Sequence, residues 1–206
     1  MRAERPVAHA PRASRAAGGA SRLRIIGGEW RSRIVRFRAH EGLRPTPDRV
    51  RETLFNWLGQ RLDGLECVDL FAGSGALGLE ARSRGAAHVV LVERDREAVV
   101  QLRRTAAELG EEGIEVVQAD AISWLRYCGR RFDVAFVDPP YASGLQQPAL
   151  SALEPHLQPG ARVYVESSSD VSPPSPAWAC LRAGAAGAVR FALLAFDPDV
   201  TPLSGA

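Results

Sequence analysis

Residues 68–80 read VDLFAGSGALGLE. An apolar stretch containing Asp69 runs into Gly73-x-Gly75-x-x-Gly78, and a helix-forming segment begins inside the glycine pattern. A glycine-punctuated turn between a strand and a helix lets the backbone approach a bound group closely. The next apolar run, His88 to Glu93, ends on an acid 20 residues beyond Gly73, which is the spacing at which a carboxylate takes the ribose hydroxyls of an adenosine. Outward from this point the chain alternates short apolar strands with helical segments. Strands are expected at Cys67–Phe71, His88–Glu93, Ile114–Gln118, Phe132–Asp138 and Arg162–Glu166. Helices are expected at Ala76–Arg84, Arg96–Leu109, Ala121–Tyr127 and Leu145–Leu157. That rhythm predicts an α/β fold: a doubly wound, mostly parallel sheet covered on both faces, with ligands at the carboxyl ends of its strands. SSSDVSPPSPAW (167–178) reads as a Pro/Ser loop, and Ala188–Phe196 as a last, antiparallel strand.

Four strands then deliver an acid to the same sheet edge: Asp69, Glu93, Asp120 and Asp138. Clustered carboxylates repel one another, so folding alone does not account for them. The glycine pattern fits either a nicotinamide or flavin dinucleotide or S-adenosylmethionine. Asp69 would repel a pyrophosphate, whereas a cationic sulfonium would relieve the cluster. Asp120 suits either a helix cap or an acceptor for an adenine amine, and the two roles are compatible. The stretch FVDPPYASG (136–144) leaves the fourth strand as a stiff extended segment, because both Asp138 and Pro139 precede a proline. It could simply be a strand stopped by a turn. It would also hold the Asp138 carboxylate, the Pro139 carbonyl and the Tyr141 ring in fixed relation, two acceptors and a flat face for a planar base with an exocyclic amine.

The 206 residues suit one buried domain with an arm, and 46% hydrophobic with 24% charged residues is ordinary for a globular protein. No apolar run approaches the ~18 residues of a membrane span. Residues 1–22, basic and rich in Ala, Pro and Gly, lack the apolar core of a secretion signal and are expected to be a disordered tail, as is 199–206. Cys67, Cys128 and Cys180 show no metal or redox spacing, which fits a reducing cytoplasm and no metal site. The net charge is only +2, yet residues 1–51 hold thirteen Arg against four acids while the remainder holds thirteen against twenty. A basic amino-terminal end on an acidic body suggests contact with a polyanion. LRIIGGEWRSRIVRF (23–37) reads as a twisted hairpin around Gly27-Gly28, part of a basic arm over 23–40. Its Arg31 and Arg33, then Arg36 and Arg38, fall at alternating positions on one basic face and would grip the phosphates of a polyanion, or else form a solvated edge that blocks aggregation. Thr46 as cap, Pro47 at the first helical position and Asp48 in the first turn start a helix whose buried stripe is Val50, Leu54, Trp57 and Leu58. Arg44, Thr46, Arg51 and Asn56 lie off that stripe.

The order DLFAGSGALGLEA, VERD, AD and DPPY resembles S-adenosylmethionine-dependent amino-methyltransferases. RIIGGEWRSR, GLRPTPDRVRETLFNWL and YVE (164–166) narrow the resemblance to the bacterial ribosomal RNA small-subunit methyltransferase D family, over Arg24 to Glu166. The resemblance implies a Rossmann-like class I methyltransferase domain over 41–198. It implies S-adenosylmethionine as cofactor and methylation of the exocyclic N2 of one guanine of 16S rRNA, within the assembling or assembled small subunit; a monomer is expected, although the sequence does not fix the oligomeric state. It also implies that Gly73, Ser74, Gly75 and Asp69 cradle the methionine end. Glu93 would hold the ribose and Asp120 with Ala121 the adenine, with Phe71 and Arg94 beside them. Arg44, Pro45 and Thr46 would close over the cofactor, and Asp138, Pro139, Pro140 and Tyr141 would form the target-amine pocket, with Asp138 also binding the cofactor. Rival readings are an amino-methyltransferase acting on DNA adenine or cytosine or on a protein amide, a nicotinamide-dependent oxidoreductase, and a non-catalytic RNA-binding module. The last two leave Asp-Pro-Pro-Tyr or the acid cluster without a purpose.

Overall fold

The computed structural model describes residues 20–38, 46–110, 112–140, 143–168, 171–187 and 189–199. Arg44, Pro45 and Tyr141 lie outside them, as does nearly all of the sequence expected to form tails. A seven-stranded sheet has the order β5-β4-β3-β6-β7-β9-β8. Its strands are β3 (Glu66–Asp69), β4 (His88–Glu93), β5 (Ile114–Gln118), β6 (Phe132–Val137), β7 (Leu157–Ser167), β8 (Trp178–Ala186) and β9 (Val189–Phe196). β3 through β7 are parallel, and β9 runs antiparallel to both β7 and β8. The chain starts in the middle at β3, steps outward to β5, and returns to β6 on the other side of β3. That reversal opens a crevice at the carboxyl ends of β3 and β6, where doubly wound sheets take their ligands.

Helices α2 (Ala76–Ser83), α3 (Arg96–Leu109), α4 (Ala121–Leu125) and α5 (Gln146–Leu153) follow β3 to β6 in turn. α1 (Asp48–Leu58) precedes the sheet. One face of the sheet packs Cys67, Val89, Phe136 and Tyr164 against α1, α2 and a hairpin of β1 (Ala20–Arg24) and β2 (Ile34–Arg38). The other packs Val68, Val137 and Val163 against α4 and α5. Val89, Val90, Leu91 and Val92 are all fully buried, so β4 reads as a continuous apolar run, as a strand covered on both faces should.

β4, β5 and α3 have the expected bounds. The hairpin starts at Ala20, within the stretch expected to be tail. α5 stops at Leu153; Glu154–His156 form a 3-10 turn around Pro155, and β7 starts at Leu157, well before Arg162. The sequence reading missed β8, whose WACLRAGAA has no β-branched residue to advertise a strand. At α1 the expected cap is corrected. Pro47, with φ −55° and ψ 146°, is itself the extended cap residue, Asp48 is the first helical residue, and no side chain caps the helix. Thr46 is buried instead.

The hairpin is anchored by buried charge. Arg51 is 0% exposed, not an outlying polar residue, and donates to Glu80 Oε2 at 3.3 Å, Arg24 O at 2.8 Å and Asp48 Oδ1 at 2.6 Å. Glu80, also fully buried, accepts the N–H groups of Ile26 and Gly27 at 2.8 Å each and Arg84 Nε at 2.8 Å. Ser83 Oγ accepts from Trp30 N–H and donates to Gly27 O. Gly28 sits at φ +77° with a Cβ position only 1.8 Å from Ser83 O, so no side chain fits there. The turn 25–33 is therefore fastened to the last turn of α2, at the sheet edge opposite the acids, because α2 begins at the glycine loop and ends at Ser83. Among the described residues no helix is long and apolar enough to cross a membrane.

Candidate active site

The glycine loop is shaped from below by acids. Asp69 Oδ2 accepts the Gly78 N–H at 3.1 Å, and the carboxylate is also hydrogen-bonded by the backbone of Phe71. Gly78 has no room for a Cβ, which would lie 2.2 Å from Leu91; this lets α2 lie close against the sheet. Gly73 and Gly75 take φ +52° and +79°, the left-handed region that favours glycine. Gly73 N–H donates to Glu93 Oε2 at 2.8 Å and Asp95 N–H to Oε1 at 2.8 Å. Glu93 thus lies against the loop at the end of β4 with each oxygen accepting one backbone N–H. A carboxylate oxygen has a second lone pair, so both can still accept from ribose hydroxyls.

Asp120 ends the segment after β5 and caps α4, accepting from Ser123 N–H at 2.9 Å. That hydrogen bond, helped by Arg94 and Arg126, holds its carboxyl below the usual range. Ala121 is buried beneath it and Phe71 is half-buried over the second core. Ser74 is buried in the loop and Arg94 exposed. At the crevice Asp138 follows β6, half-buried, with Pro139 buried and Pro140 exposed. Burial, then Glu166, then Asp69 push the Asp138 carboxyl well above the ordinary carboxylate range. Asp69, 2% exposed, is raised by burial to about 7, with its two backbone hydrogen bonds opposing and Glu93 adding to the rise.

The structure brings Asp69, Gly73, Glu93, Asp138 and the Asp120–Ala121 turn to one sheet edge. It does not bring Arg31 and Arg33 there. Both are exposed in the turn at the far edge rather than alternating along β2. Arg36 is exposed on β2 opposite Arg22 of β1, so the outward basic face is built from both strands. Arg38 ends β2. The sequence reading gave Glu166 no role, although YVE closes the apolar run of β7, whose last residue is Ser167. Glu166 is 4% exposed and accepts from Tyr164 Oη at 2.8 Å.

These residues suit a positively charged adenosine carrier. A cation would favour the ionised forms of Asp69 and Asp138, which burial and mutual repulsion disfavour, whereas a pyrophosphate would add to the repulsion. Among adenosine carriers the sulfonium of S-adenosylmethionine is cationic at the reacting atom, and the fold with this crevice is that of the class I S-adenosylmethionine-dependent methyltransferases.

Comparison with known proteins takes this further. Residues 23–195 match the family model described as Conserved hypothetical protein 95. The Escherichia coli ribosomal RNA small subunit methyltransferase D is 45% identical over 179 residues, 85% of this chain and 90% of that one. This chain belongs to the ribosomal RNA small subunit methyltransferase D family. The solved structure of Escherichia coli yhhF superposes with a TM-score of 0.78 at 42% identity, covering 86% of this chain and 99% of that chain. A Thermus thermophilus 16S rRNA N2 methyltransferase, solved with AdoMet and guanosine, gives a TM-score of 0.62 at 22% identity over 87% of this chain and 50% of its own. At that distance the likeness shows the fold.

Proposed function

We propose that this protein methylates the exocyclic N2 of one guanine in 16S rRNA, using S-adenosylmethionine. The observation that carries the reading is Asp138-Pro139-Pro140 at the carboxyl end of β6, beside the loop that Glu93 ties to Gly73. Family membership supports small-subunit rRNA as the substrate.

Bound here, S-adenosylmethionine would supply an electrophilic methyl on a sulfonium, with the neutral thioether as leaving group. Glu93 holds the ribose and the Asp120–Ala121 turn the adenine edge. Asp69 sets the loop and would supply negative charge for a sulfonium. Guanine N2 is a weak nucleophile because its lone pair is delocalised into the ring. Asp138 and the Pro139 carbonyl accept its two hydrogens, which favours a pyramidal nitrogen with the lone pair facing the methyl. As the nitrogen–carbon bond forms, N2 sheds a proton, and Asp138 accepts it. Its raised pKa makes it a better base for that step than an ordinary aspartate. The rate gain comes from orientation and preorganised charge. The base must be unpaired or extruded to enter, and Tyr141 stacks on it. The outward arginines of the hairpin grip phosphates.

The test is transfer of labelled methyl from S-adenosylmethionine to small subunits from cells lacking this protein, followed by mapping of the modified nucleotide. Label on N2 of a single guanine of 16S rRNA is the expected result. Label on another atom, or none on subunits or naked 16S rRNA while cofactor binds, would overturn it.

A further inference from the structure

We propose that Glu166 reads the N1–H of the target guanine, so that Asp138 and Glu166 form a paired acceptor matched to guanine's Watson–Crick edge. The inference rests on the guanine-N2 reading above and adds to it the means by which the base is chosen.

β6 and β7 are parallel neighbours with Val137 opposite Val165 and Phe136 opposite Tyr164. The next pair in that register is Asp138, just past the end of β6, and Glu166, still within β7 and paired with Phe191 of β9, so the two backbones lie side by side roughly 4.8 Å apart in the hydrogen-bonding direction. They belong to the face that holds Phe136 and Tyr164, since side chains two apart on a strand share a face. The Tyr164 hydroxyl, two residues before Glu166, donates to Oε1 at 2.8 Å and fixes how that carboxylate is turned. Tyr164 is itself held by packing: it is fully buried, with its ring centroid 6.3 Å from that of Phe191.

A second carboxylate beside Asp138 raises the cost of ionising Asp138. The face around it is filled by Phe136, Tyr164 and Phe191, and substrate chemistry gives an acid at this place a use. A guanine that offers N2 for methylation presents two adjacent donors on its Watson–Crick edge, the N2 amine and N1–H. Adenine presents its N6 amine beside a bare N1 lone pair, and cytosine its N4 amine beside a bare N3 lone pair. With the amine held at Asp138, Glu166 meets a donor only if the base is guanine. With adenine or cytosine it meets a lone pair, and the mismatch leaves a buried carboxylate facing an acceptor. Sites built to hydrogen-bond an N–H reject analogues that lack it far more strongly than apolar pockets reject a missing methylene.

The probe is 2-aminopurine, which keeps the N2 amine and lacks N1–H. Small subunits are assembled on 16S rRNA ligated from a synthetic segment carrying guanine or 2-aminopurine at the modified position, and kcat/KM for methyl transfer is compared. The native protein is expected to prefer guanine by roughly a hundredfold or more, and Glu166→Gln, whose amide can turn either atom to the base, to bring that ratio to about tenfold or less. An unchanged ratio in the variant overturns the role of Glu166, as does a native protein that methylates both bases equally well. A native protein that leaves guanine N2 unmodified overturns the reaction itself. S-adenosylmethionine binding verifies that each variant is folded. Should Glu166→Gln fail to bind it, Tyr164→Phe decides, because it keeps the charge and removes only the orienting hydroxyl. A lowered guanine preference then supports the inference and an unchanged one overturns it.

Discussion

Asp138 and Asp69 sit at the same sheet edge, and their tests separate chemistry from binding. Asp138→Ala removes the proposed acceptor for the amine and the proposed base for its proton. Turnover is expected to fall on the order of a hundredfold or more, well beyond any change in the cofactor dissociation constant measured by calorimetry; near-normal turnover would remove Asp138 from this role. Asp69 gives a pH signature. With its carboxyl raised to about 7 in the empty protein, a cationic ligand favours the ionised form and binding releases a proton. Affinity for S-adenosylmethionine is therefore expected to level off above pH 7 and to weaken below it, by up to about tenfold per pH unit. The same raised pKa contributes stability to the empty protein that is fully present below the ordinary carboxylate range and is lost as pH rises toward 7. Asp69→Asn should flatten both profiles, and an unaltered affinity profile would show that Asp69 does not titrate with binding. The acids on β3 to β6 were legible because each closes an apolar run. Their buried hydrogen bonds were not, since nothing in the sequence tells that Asp69 turns into the loop to take Gly78 N–H.

Among the elements, the joint of hairpin, α1 and α2 stands out because it is made of buried charge. Arg51→Met leaves Glu80 with Arg84 and two backbone N–H groups but without its second guanidinium. Breaking a buried pair from one side costs about 3–5 kcal/mol, which a shift in the urea midpoint at constant slope would register; a loss under about 1 kcal/mol would mean that Glu80 is satisfied without Arg51. The basic face is tested by replacing Arg22 and Arg36, opposite one another on the two strands, with Gln. RNA binding should weaken across sequences, and the logarithmic salt slope should fall by about one for each phosphate no longer gripped. Equal binding at all salt concentrations would make these arginines a solvated edge. Sequence periodicity placed Arg31 and Arg33 on this face because it read the strand through the turn. It placed Arg51 off the buried stripe because its polarity concealed that it is fully buried.

Over the whole molecule, ligand binding and folding are linked. At a hundredfold its dissociation constant S-adenosylmethionine should stabilise the native state by about 2.7 kcal/mol, a rise in Tm of about 5–10 °C for a chain of this size. NAD(H) at the same concentration should give none, and an equal rise would reopen the oxidoreductase reading. The parallel half of the sheet was legible because buried strands and covering helices write different periods into the sequence. The β8–β9 edge was half-legible: FALLAF announces β9, whereas the small residues of β8 are held in place by their pairing with β9, a long-range cause that local sequence does not carry. The fastening of the turn 25–33 to α2 has a further consequence. A hairpin pinned through Glu80, Ser83 and Gly28 cannot swing while α2 stays put, and α2 starts at the loop that holds the cofactor. Under the proposed function, the span from the gripped phosphates to the reacting methyl would then be a fixed length, like the opening of a caliper. A guanine would be methylated where the folded RNA places it at that distance from the phosphates, and chemically identical guanines at other distances would be passed over.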